Sequence, residues 1–324
     1  MSSADKKRLL VIGATGTQGK VVVAALLAPQ DDGTPSPYSV RALTRDPKTE
    51  KAQAVEALGA ELFEGHFDNL SDIASALEGC YGVFVNTDTF TVGEKNEIYA
   101  AVKIFEQAHR AQLKHFIWSG LDYASKLGNF NPKYHTIHYD GKGTFGDFLQ
   151  VQPSSPNGDS LTWTIITTGP YLENLEDTSR ASPTATQRCC RLGDSDRRWS
   201  HPRNQSRRHW LIATEFMTID QLVETFTRVT GIPAVHERIS VEEYLGVHED
   251  YFKLPMVRGR PEGPSIRDTV AGMYRIWGDD LLTRDMEWIR RVHPTGYTLE
   301  SFIRKKKING TIFPSVAYKY QPTQ

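Results

Sequence analysis

The stretch RLLVIGATGTQG, residues 8–19, joins an apolar run directly to a glycine-rich loop. In such a stretch Gly13 permits a tight turn, Gly16 lets the backbone approach a pyrophosphate, and Gly19 lets the next helix pack closely on the strand. The first amides of that helix also favour a negatively charged group. The stretch therefore predicts a strand, a loop and a helix that bind a dinucleotide through Gly13, Ala14, Thr15, Gly16, Thr17, Gln18 and Gly19.

Strand-like and helix-like segments alternate through the first half of the chain. Predicted strands are Arg8 to Ile12, Tyr38 to Thr44, Glu61 to Glu64, Val83 to Asn86, His115 to Ser119 and Thr162 to Thr167. Predicted helices are Gln18 to Ala28, Lys48 to Leu58, Ser71 to Leu77, Glu94 to Ala111 and Gly141 to Gln150, with a polar loop at Gly120 to Tyr139. This alternation is typical of βαβ units and predicts an α/β fold, a doubly wound parallel Rossmann sheet.

The length of the chain indicates two structural units. Its 324 residues exceed what most single compact domains contain. We expect an NAD(P)-binding Rossmann domain at 1–168 and a smaller, less regular C-terminal substrate lobe at 169–324. Ligands bind at the carboxyl ends of the strands in such sheets, so the lobe is expected to cover that edge.

The end of the second predicted strand bears on which dinucleotide binds. NAD-selective sites carry an acid there for the ribose 2′-hydroxyl, whereas this chain has Arg45 at that position. A guanidinium suits the geometry of a 2′-phosphate. We therefore expect NADP, with NAD as the less favoured cofactor. Two alternatives stay open: Asp46 as a helix cap, and Arg45 as a solvated surface cation.

Charge and cysteine content restrict the classes of partner. Lys and Arg number 38 and Asp and Glu number 39, so the balance gives no reason to expect a nucleic acid or a membrane surface. Residues 1–7 are polar and run straight into an apolar strand, so a secretory leader is not expected. Cys80, Cys189 and Cys190 have no metal-ligand spacing, and His135 and His138 lack a third ligand, so no metal site is expected. We expect a cytoplasmic protein with a small-molecule substrate.

The stretch from Ser179 to His209 differs from the rest of the chain. It holds eight Arg, no Lys and two Asp, and its one Val, Ile or Leu is Leu192. Such a composition is not expected to supply a buried strand. Three interpretations stay open: a basic loop that binds an acidic partner, a disordered insertion, and a stretch translated from a displaced reading frame.

Six motifs resemble the NmrA-like family, an atypical branch of the short-chain dehydrogenase/reductases related to isoflavone reductase-like proteins. They are GATGTQG at 13–19, LTRDP at 43–47, GHFDN at 65–69, VFVNTD at 83–88, HFIWSGL at 115–121 and PYLEN at 170–174. The resemblance implies an extended Rossmann fold that binds NADP or NAD. It also implies cofactor contacts from Arg45, Asn86, Thr87, Lys142 and the loop from Tyr171 to Asn174.

The same resemblance bears on catalysis. Ordinary short-chain dehydrogenases use a Tyr with a Lys four residues later, but Tyr139 and Lys142 are three apart. In the reductase relatives a lysine at the start of this helix is the proposed acid/base, and Lys142 matches that position. The family pattern has a glutamate four residues further on, where this chain has Gly146, which puts the helix and the orientation of Lys142 in question. The alternative is that Lys142 is a surface lysine.

Two functions follow from the resemblance and stay open at this point. One is an NADP-dependent oxidoreductase that reduces or oxidises a small metabolite by hydride transfer, with Lys142 as the catalytic residue. The other is a non-catalytic NAD(P) sensor that binds a regulatory protein partner, for which a nuclear location is also compatible. Fold alone does not distinguish them.

Overall fold

The computed structural model describes residues 6–154, 161–172, 188–190, 209–247, 249–257 and 259–308. Its main sheet has seven strands in the order β3-β2-β1-β4-β5-β6-β8, and every neighbouring pair is parallel. These strands are β1 (Lys7–Ile12), β2 (Tyr38–Thr44), β3 (Glu61–Glu64), β4 (Gly82–Val85), β5 (His115–Gly120), β6 (Thr162–Thr167) and β8 (His209–Leu211). A separate two-stranded parallel sheet pairs β7 (Arg188–Cys190) with β9 (Glu237–Ile239).

Helices connect the strands of the main sheet and continue after it. Those in the first half are α1 (Thr17–Leu27), α2 (Glu50–Glu56), α3 (Leu70–Leu77), α4 (Thr89–Val92), α5 (Glu94–Arg110), α6 (Ala124–Leu127) and α7 (Ile137–Gln150), with a 3₁₀ turn at Pro132–Tyr134. Those that follow are α8 (Ile219–Thr230), α9 (Val241–Val247), α10 (Glu249–Phe252), α11 (Ile266–Gly278), α12 (Met286–Val292) and α13 (Leu299–Lys306). Within the described parts of the chain, no helix combines the length and apolarity needed to cross a bilayer.

The predicted doubly wound sheet is confirmed, and its strand order reverses direction between β1 and β4. In such a sheet the crevice that receives ligands lies at the carboxyl ends of the strands on either side of this reversal. Successive residues of β1 point to opposite faces, so Leu10 and Ile12 pack in one apolar core and Val11 packs in another. Helices thus cover both faces, and the glycine loop emerges at the carboxyl edge.

The start of α7 and the edge strand β8 differ from the predictions. Helix α7 begins at Ile137, four residues before the predicted start at Gly141, because the Asp140 carboxylate accepts a hydrogen bond from the Thr136 amide (3.1 Å) and closes the first turn. The edge strand β8 was not predicted, since three residues are too few to show a period. Strand β7 lies inside the arginine-rich stretch, most of which is outside the described residues.

Helices of the second half pack on the start of α7. Ile137 belongs to an apolar cluster with Leu245 of α9, Phe252 of α10 and Ile266 of α11. These contacts place the later helices above the carboxyl edge of the sheet, because α7 follows β5 and its first turn therefore lies at that edge.

A buried arginine ties the second half to the ends of three strands. The Arg284 guanidinium donates to both oxygens of Asp122, at 3.1 and 2.7 Å, in the bidentate arrangement that carboxylates favour. It also donates to the carbonyl oxygens of Thr168 (3.0 Å) and Ile212 (3.3 Å). The side chains of Arg284 and Asp122 are 3% and 5% exposed, so this pair is almost fully desolvated. The loops after β5, β6 and β8 therefore converge on one side chain.

Candidate dinucleotide site

The glycine loop is packed so closely that two of its glycines admit no side chain. Gly13 has φ +79°, and a Cβ there would lie 2.5 Å from the carbonyl oxygen of Asn86. A Cβ on Gly19 would lie 2.1 Å from the carbonyl oxygen of Gly13 and 2.7 Å from the Cα of Ala14. Gly16 meets only one such atom, at 3.3 Å. Packing within the protein therefore requires glycine at positions 13 and 19. Gly16 is exposed, and no side chain of the described residues covers its backbone.

The start of α1 is open to a negatively charged group. The helix begins at Thr17 with Gly16 as its N-cap, and no side chain caps its first amides. Uncapped amides and the helix dipole both attract an anion. Gln18 accepts a hydrogen bond from Ser119 Oγ (2.7 Å), which ties this first turn to the end of β5. The residues at this end of the sheet fit the diphosphate of a dinucleotide.

Replacing Gly19 with Ala is expected to lower the free energy of unfolding by about 1–3 kcal/mol and to weaken dinucleotide binding, because the added methyl group overlaps backbone atoms. Chemical denaturation and a fluorescence titration with NADPH measure the two effects. Gly246→Ala is the matched control, since a Cβ there meets no atom within 4 Å. A Gly19→Ala protein as stable as the control would contradict the packing described here.

Arg45 lies at the carboxyl end of β2 and is exposed. The next residue, Asp46, does not cap the following helix: its carboxylate accepts from the backbone amide of Lys48 (2.8 Å), and Thr49 caps α2 by accepting from Ala52. Among the described residues, Arg45 has no hydrogen bond or ion pair, so its guanidinium is available to a ligand.

Lys142 is buried at the carboxyl end of β4 and is not a surface lysine. Its side chain is 10% exposed, and Nζ donates to the carbonyl oxygen of Thr87 (3.0 Å), to Thr87 Oγ1 (3.3 Å) and to Asn86 Oδ1 (3.4 Å). Nζ also lies 5.1 Å from the centre of the Trp118 ring, which stabilises a cation. The structure thus brings together three predicted site residues, Asn86, Thr87 and Lys142.

Glu97 completes this group, and the sequence interpretation missed it. Its side chain is fully buried, with Oε1 3.2 Å from Lys142 Nζ. Thr87 Oγ1 donates to Oε1 at 2.6 Å, and Thr89 Oγ1 donates to Oε2. The sequence did carry a signal. Glu97 is the single charged residue in the buried stripe of α5, whose other members are Ala100, Ala101, Ile104, Phe105 and Ala108.

Glycines in α7 permit this close packing. A Cβ on Gly141 would lie 2.8 Å from Glu97 Oε2, and a Cβ on Gly143 would lie 2.5 Å from the Cα of Tyr123. Gly146 does not interrupt the helix, and a Cβ placed there would meet Ile165 Cδ1 at 3.9 Å, an ordinary contact. The concern that Gly146 disturbs the orientation of Lys142 is therefore answered: α7 is continuous through both residues.

Tyr139 and His138 in the first turn of α7, and His135 just before this helix, have shifted pKa values. Burial, followed by the nearby Asp122 carboxylate, raises the pKa of the Tyr139 hydroxyl, so this group does not supply a reactive phenolate. Burial and then the charge of Lys142 lower the pKa of His138 to about 3, so its ring is neutral near neutral pH. His135 instead pairs with Glu94, at 3.2 Å, which raises the pKa of its ring.

Tyr171 lies apart from the Lys142 group. It is 39% exposed and lines a cavity of about 640 Å³ beyond the ends of β6 and β8, with Trp210 and Trp288 among the aromatic walls. The residues around this cavity do not include Asn86, Thr87 or Lys142. Asn174, the other predicted contact of this loop, lies outside the described residues.

Comparisons with known proteins identify the family of the chain. Residues 5–191, more than half of the chain, match the model of the NmrA-like family. An NmrA-like family domain-containing oxidoreductase of Malbranchea aurantiaca is 33% identical over 162 residues, which are 46% of this chain and 47% of the relative. The match thus spans about half the length of that curated relative.

Solved structures share the fold over nearly the whole chain. Nmra, a negative transcriptional regulator crystallised in complex with NAD, has a TM-score of 0.66 at 17% identity and covers 93% of this chain and 95% of its own. An NADPH-dependent quinone oxidoreductase of Escherichia coli, complexed with NADPH, has a TM-score of 0.64 at 16% identity and covers 93% of this chain and 100% of its own. With the family model matched across the glycine loop and the Lys142 helix, the chain belongs to the NmrA-like family.

Proposed function

We propose that the protein is an NADP-dependent oxidoreductase that transfers a hydride between the nicotinamide and a small carbonyl or enone-like metabolite. The observation that carries the proposal is the buried Lys142 ammonium beside Asn86. The glycine loop adjoins the same point, because Gly13 packs against the Asn86 carbonyl. The glycine loop that would bind the diphosphate and the Lys142 ammonium that would donate a proton are thus neighbours at one end of the sheet. Relatives named as oxidoreductases add support.

The residues present suit the cofactor. The bare backbone at Gly16 and the uncapped start of α1 would hold the diphosphate, and Arg45 would hold the 2′-phosphate. When bound, the reduced nicotinamide supplies the hydride. Asn86 and Thr87 would lie beside the ring, as the family resemblance implies.

Lys142 would act on the substrate oxygen. Its shortest contacts, to the Thr87 carbonyl at 3.0 Å and to Glu97 at 3.2 Å, keep the ammonium in place. Its longer contacts, to Thr87 Oγ1 at 3.3 Å and Asn86 Oδ1 at 3.4 Å, are the ones that a substrate oxygen can displace most easily. Lys142 would then donate a hydrogen bond to that oxygen and transfer a proton as negative charge develops on it.

Replacing Arg45 with Ser is expected to weaken NADPH binding about tenfold and to leave NADH binding within about twofold, because only the 2′-phosphate loses a charge-assisted contact. Titrations of both cofactors against both proteins give the four dissociation constants. Lys48→Ser is the matched control, since it removes an exposed positive charge three residues away. Equal losses for NADPH and NADH would assign Arg45 a role other than phosphate selection.

A turnover assay tests the proposed reaction. The purified chain is mixed with NADPH and a panel of quinones, enones and aldehydes, and the loss of nicotinamide absorbance is followed. Sustained oxidation that depends on one substrate class supports the proposal. Tight cofactor binding with no oxidation across the panel rejects it.

A second candidate is a dinucleotide sensor without turnover that binds a regulatory protein. It is favoured by the internal contacts of the Lys142 ammonium and by the burial of Tyr139, which leave neither of these two groups free as an acid before a ligand arrives. The structurally similar Nmra is itself named a negative transcriptional regulator. A sensor must bind a partner differently in its two cofactor states, and this difference is measurable with reduced and oxidised cofactor.

A further inference from the structure

We propose that Glu97 is a positioning residue, which holds the Lys142 ammonium at the carboxyl end of β4 in the orientation needed for the reaction. This inference rests on the proposed function, because it assigns Lys142 the role of proton donor. It concerns a residue that none of the sequence motifs contains.

The Glu97 carboxylate is completely buried. A carboxylate with no exposed surface is heavily destabilised unless it is paired and hydrogen-bonded. Here both of its oxygens are used: Oε1 by Lys142 and Thr87, and Oε2 by Thr89. Packing alone does not require a charge at this place, since the rest of the buried stripe of α5 is apolar.

Glu97 connects three separate segments of the chain. Thr87 lies on the loop after β4 and Thr89 begins the short helix α4 that follows it, Glu97 lies on the first turn of α5, and Lys142 lies on α7. Gly141 lets α7 approach, because any larger residue would meet Glu97 Oε2. The carboxylate therefore fixes the position of the ammonium relative to the loop that also carries Asn86.

Without this carboxylate, Lys142 would lose its counter-ion. Its remaining contacts are the uncharged oxygens of Asn86 and Thr87 and the face of Trp118, none of which neutralises a buried ammonium. An ammonium without a counter-ion favours its neutral form or moves toward water. A displacement of about 1 Å at a reacting group can cost about 100-fold in rate.

The test uses the full-length chain with Glu97→Gln, which keeps the size of the side chain and removes its charge. The rate at which an N-hydroxysuccinimide acetate ester acetylates Lys142, measured by peptide mass spectrometry without cofactor, is expected to rise about tenfold, because the amine is released from its ion pair. With the quinone or enone that gives turnover, kcat is expected to fall about 10- to 100-fold while KM for NADPH stays within about threefold.

Glu94→Gln is the matched control, because it removes a carboxylate from the same turn of α5, where the partner is His135. It is expected to leave the acetylation of Lys142 unchanged. If Glu97→Gln does not fold, Thr89→Val removes only one hydrogen bond to Glu97 and should raise the acetylation rate about threefold.

An acetylation rate in the Glu97 variant that matches the Glu94 control would overturn the proposal, and so would an unchanged rate in Thr89→Val if that variant has to be used. A folded Glu97→Gln protein with unchanged kcat would also overturn it. If the parent chain shows no turnover with any substrate, the proposed function fails, while the acetylation rates still decide whether Glu97 holds Lys142.

Discussion

Replacing Lys142 with Met is expected to lower the free energy of unfolding by about 3–5 kcal/mol, because it leaves the Glu97 carboxylate buried and unpaired. Glu97 has no exposed surface, so its carboxylate would be left without the charged partner that offsets its burial. The loss is therefore set by an uncompensated charge, and the change of side-chain volume is secondary. Chemical denaturation of the parent and variant proteins measures it.

The double variant Lys142→Met with Glu97→Gln should recover most of this loss, because the amide keeps an acceptor for Thr87 and Thr89 and carries no charge. Lys126→Met is the matched control. Its partner Asp147 is 2.6 Å away, but the two side chains are 56% and 35% exposed, so a change within about 1 kcal/mol is expected. A Lys142→Met protein within that same range would show that the pair is not desolvated as described.

The expected loss of stability in Lys142→Met limits its use as a test of catalysis. A Lys142 variant that loses turnover because it unfolds gives no information on proton transfer. The informative comparison is between the double variant and Glu97→Gln at equal folded fraction, because these two proteins differ only at position 142, with NADPH binding measured in both. Lost turnover with retained binding then assigns the chemistry to Lys142.

Replacing Arg284 with Met is expected to cost a similar amount, about 3–5 kcal/mol, because Asp122 would remain buried without a partner. The carbonyl oxygens of Thr168 and Ile212 would also each lose a hydrogen-bond donor. Arg284→Lys should not restore the full loss, since an ammonium does not reproduce the bidentate contact. Thermal and chemical unfolding of the three proteins provide the measurement.

The large loss of stability in Arg284→Met is expected because the Arg284 side chain is buried, and an exposed arginine should show a much smaller effect. Arg291 pairs with Glu287 at 3.2 Å, but these side chains are 66% and 86% exposed, so Arg291→Met should change stability by less than about 0.5 kcal/mol. Equal effects at Arg284 and Arg291 would argue against a role for Arg284 in joining the later helices to the sheet.

Local patterns were sufficient to predict the sheet. Strands β2, β3 and β6 begin and end at the predicted residues, because each is a short run of strand-forming residues bounded by turns. The glycine loop was predictable because the positive φ of Gly13 and the close backbone contacts of Gly13 and Gly19 admit few other residues. Where the signal was weak, as at the three-residue strand β8, no prediction was made.

The chemistry of the site depends on contacts that local spacing does not show. Glu97 and Lys142 are far apart in the sequence and meet because α5 and α7 pack side by side. Arg284 and Asp122 are separated by 162 positions. The start of α7 was placed too late because the Asp140 carboxylate reaches back to Thr136, which a count of apolar residues does not detect. A charged residue within an apolar helical stripe is the one sequence signal of this kind.

The most direct test of the account is a calorimetric and fluorescence titration of the purified chain with NADPH, NADP, NADH and NAD. The glycine loop, the uncapped start of α1 and the exposed Arg45 predict that the two phosphorylated cofactors bind more tightly, by about tenfold or more. Binding of none of the four would contradict the dinucleotide site itself, and with it both the proposed oxidoreductase and the proposed sensor.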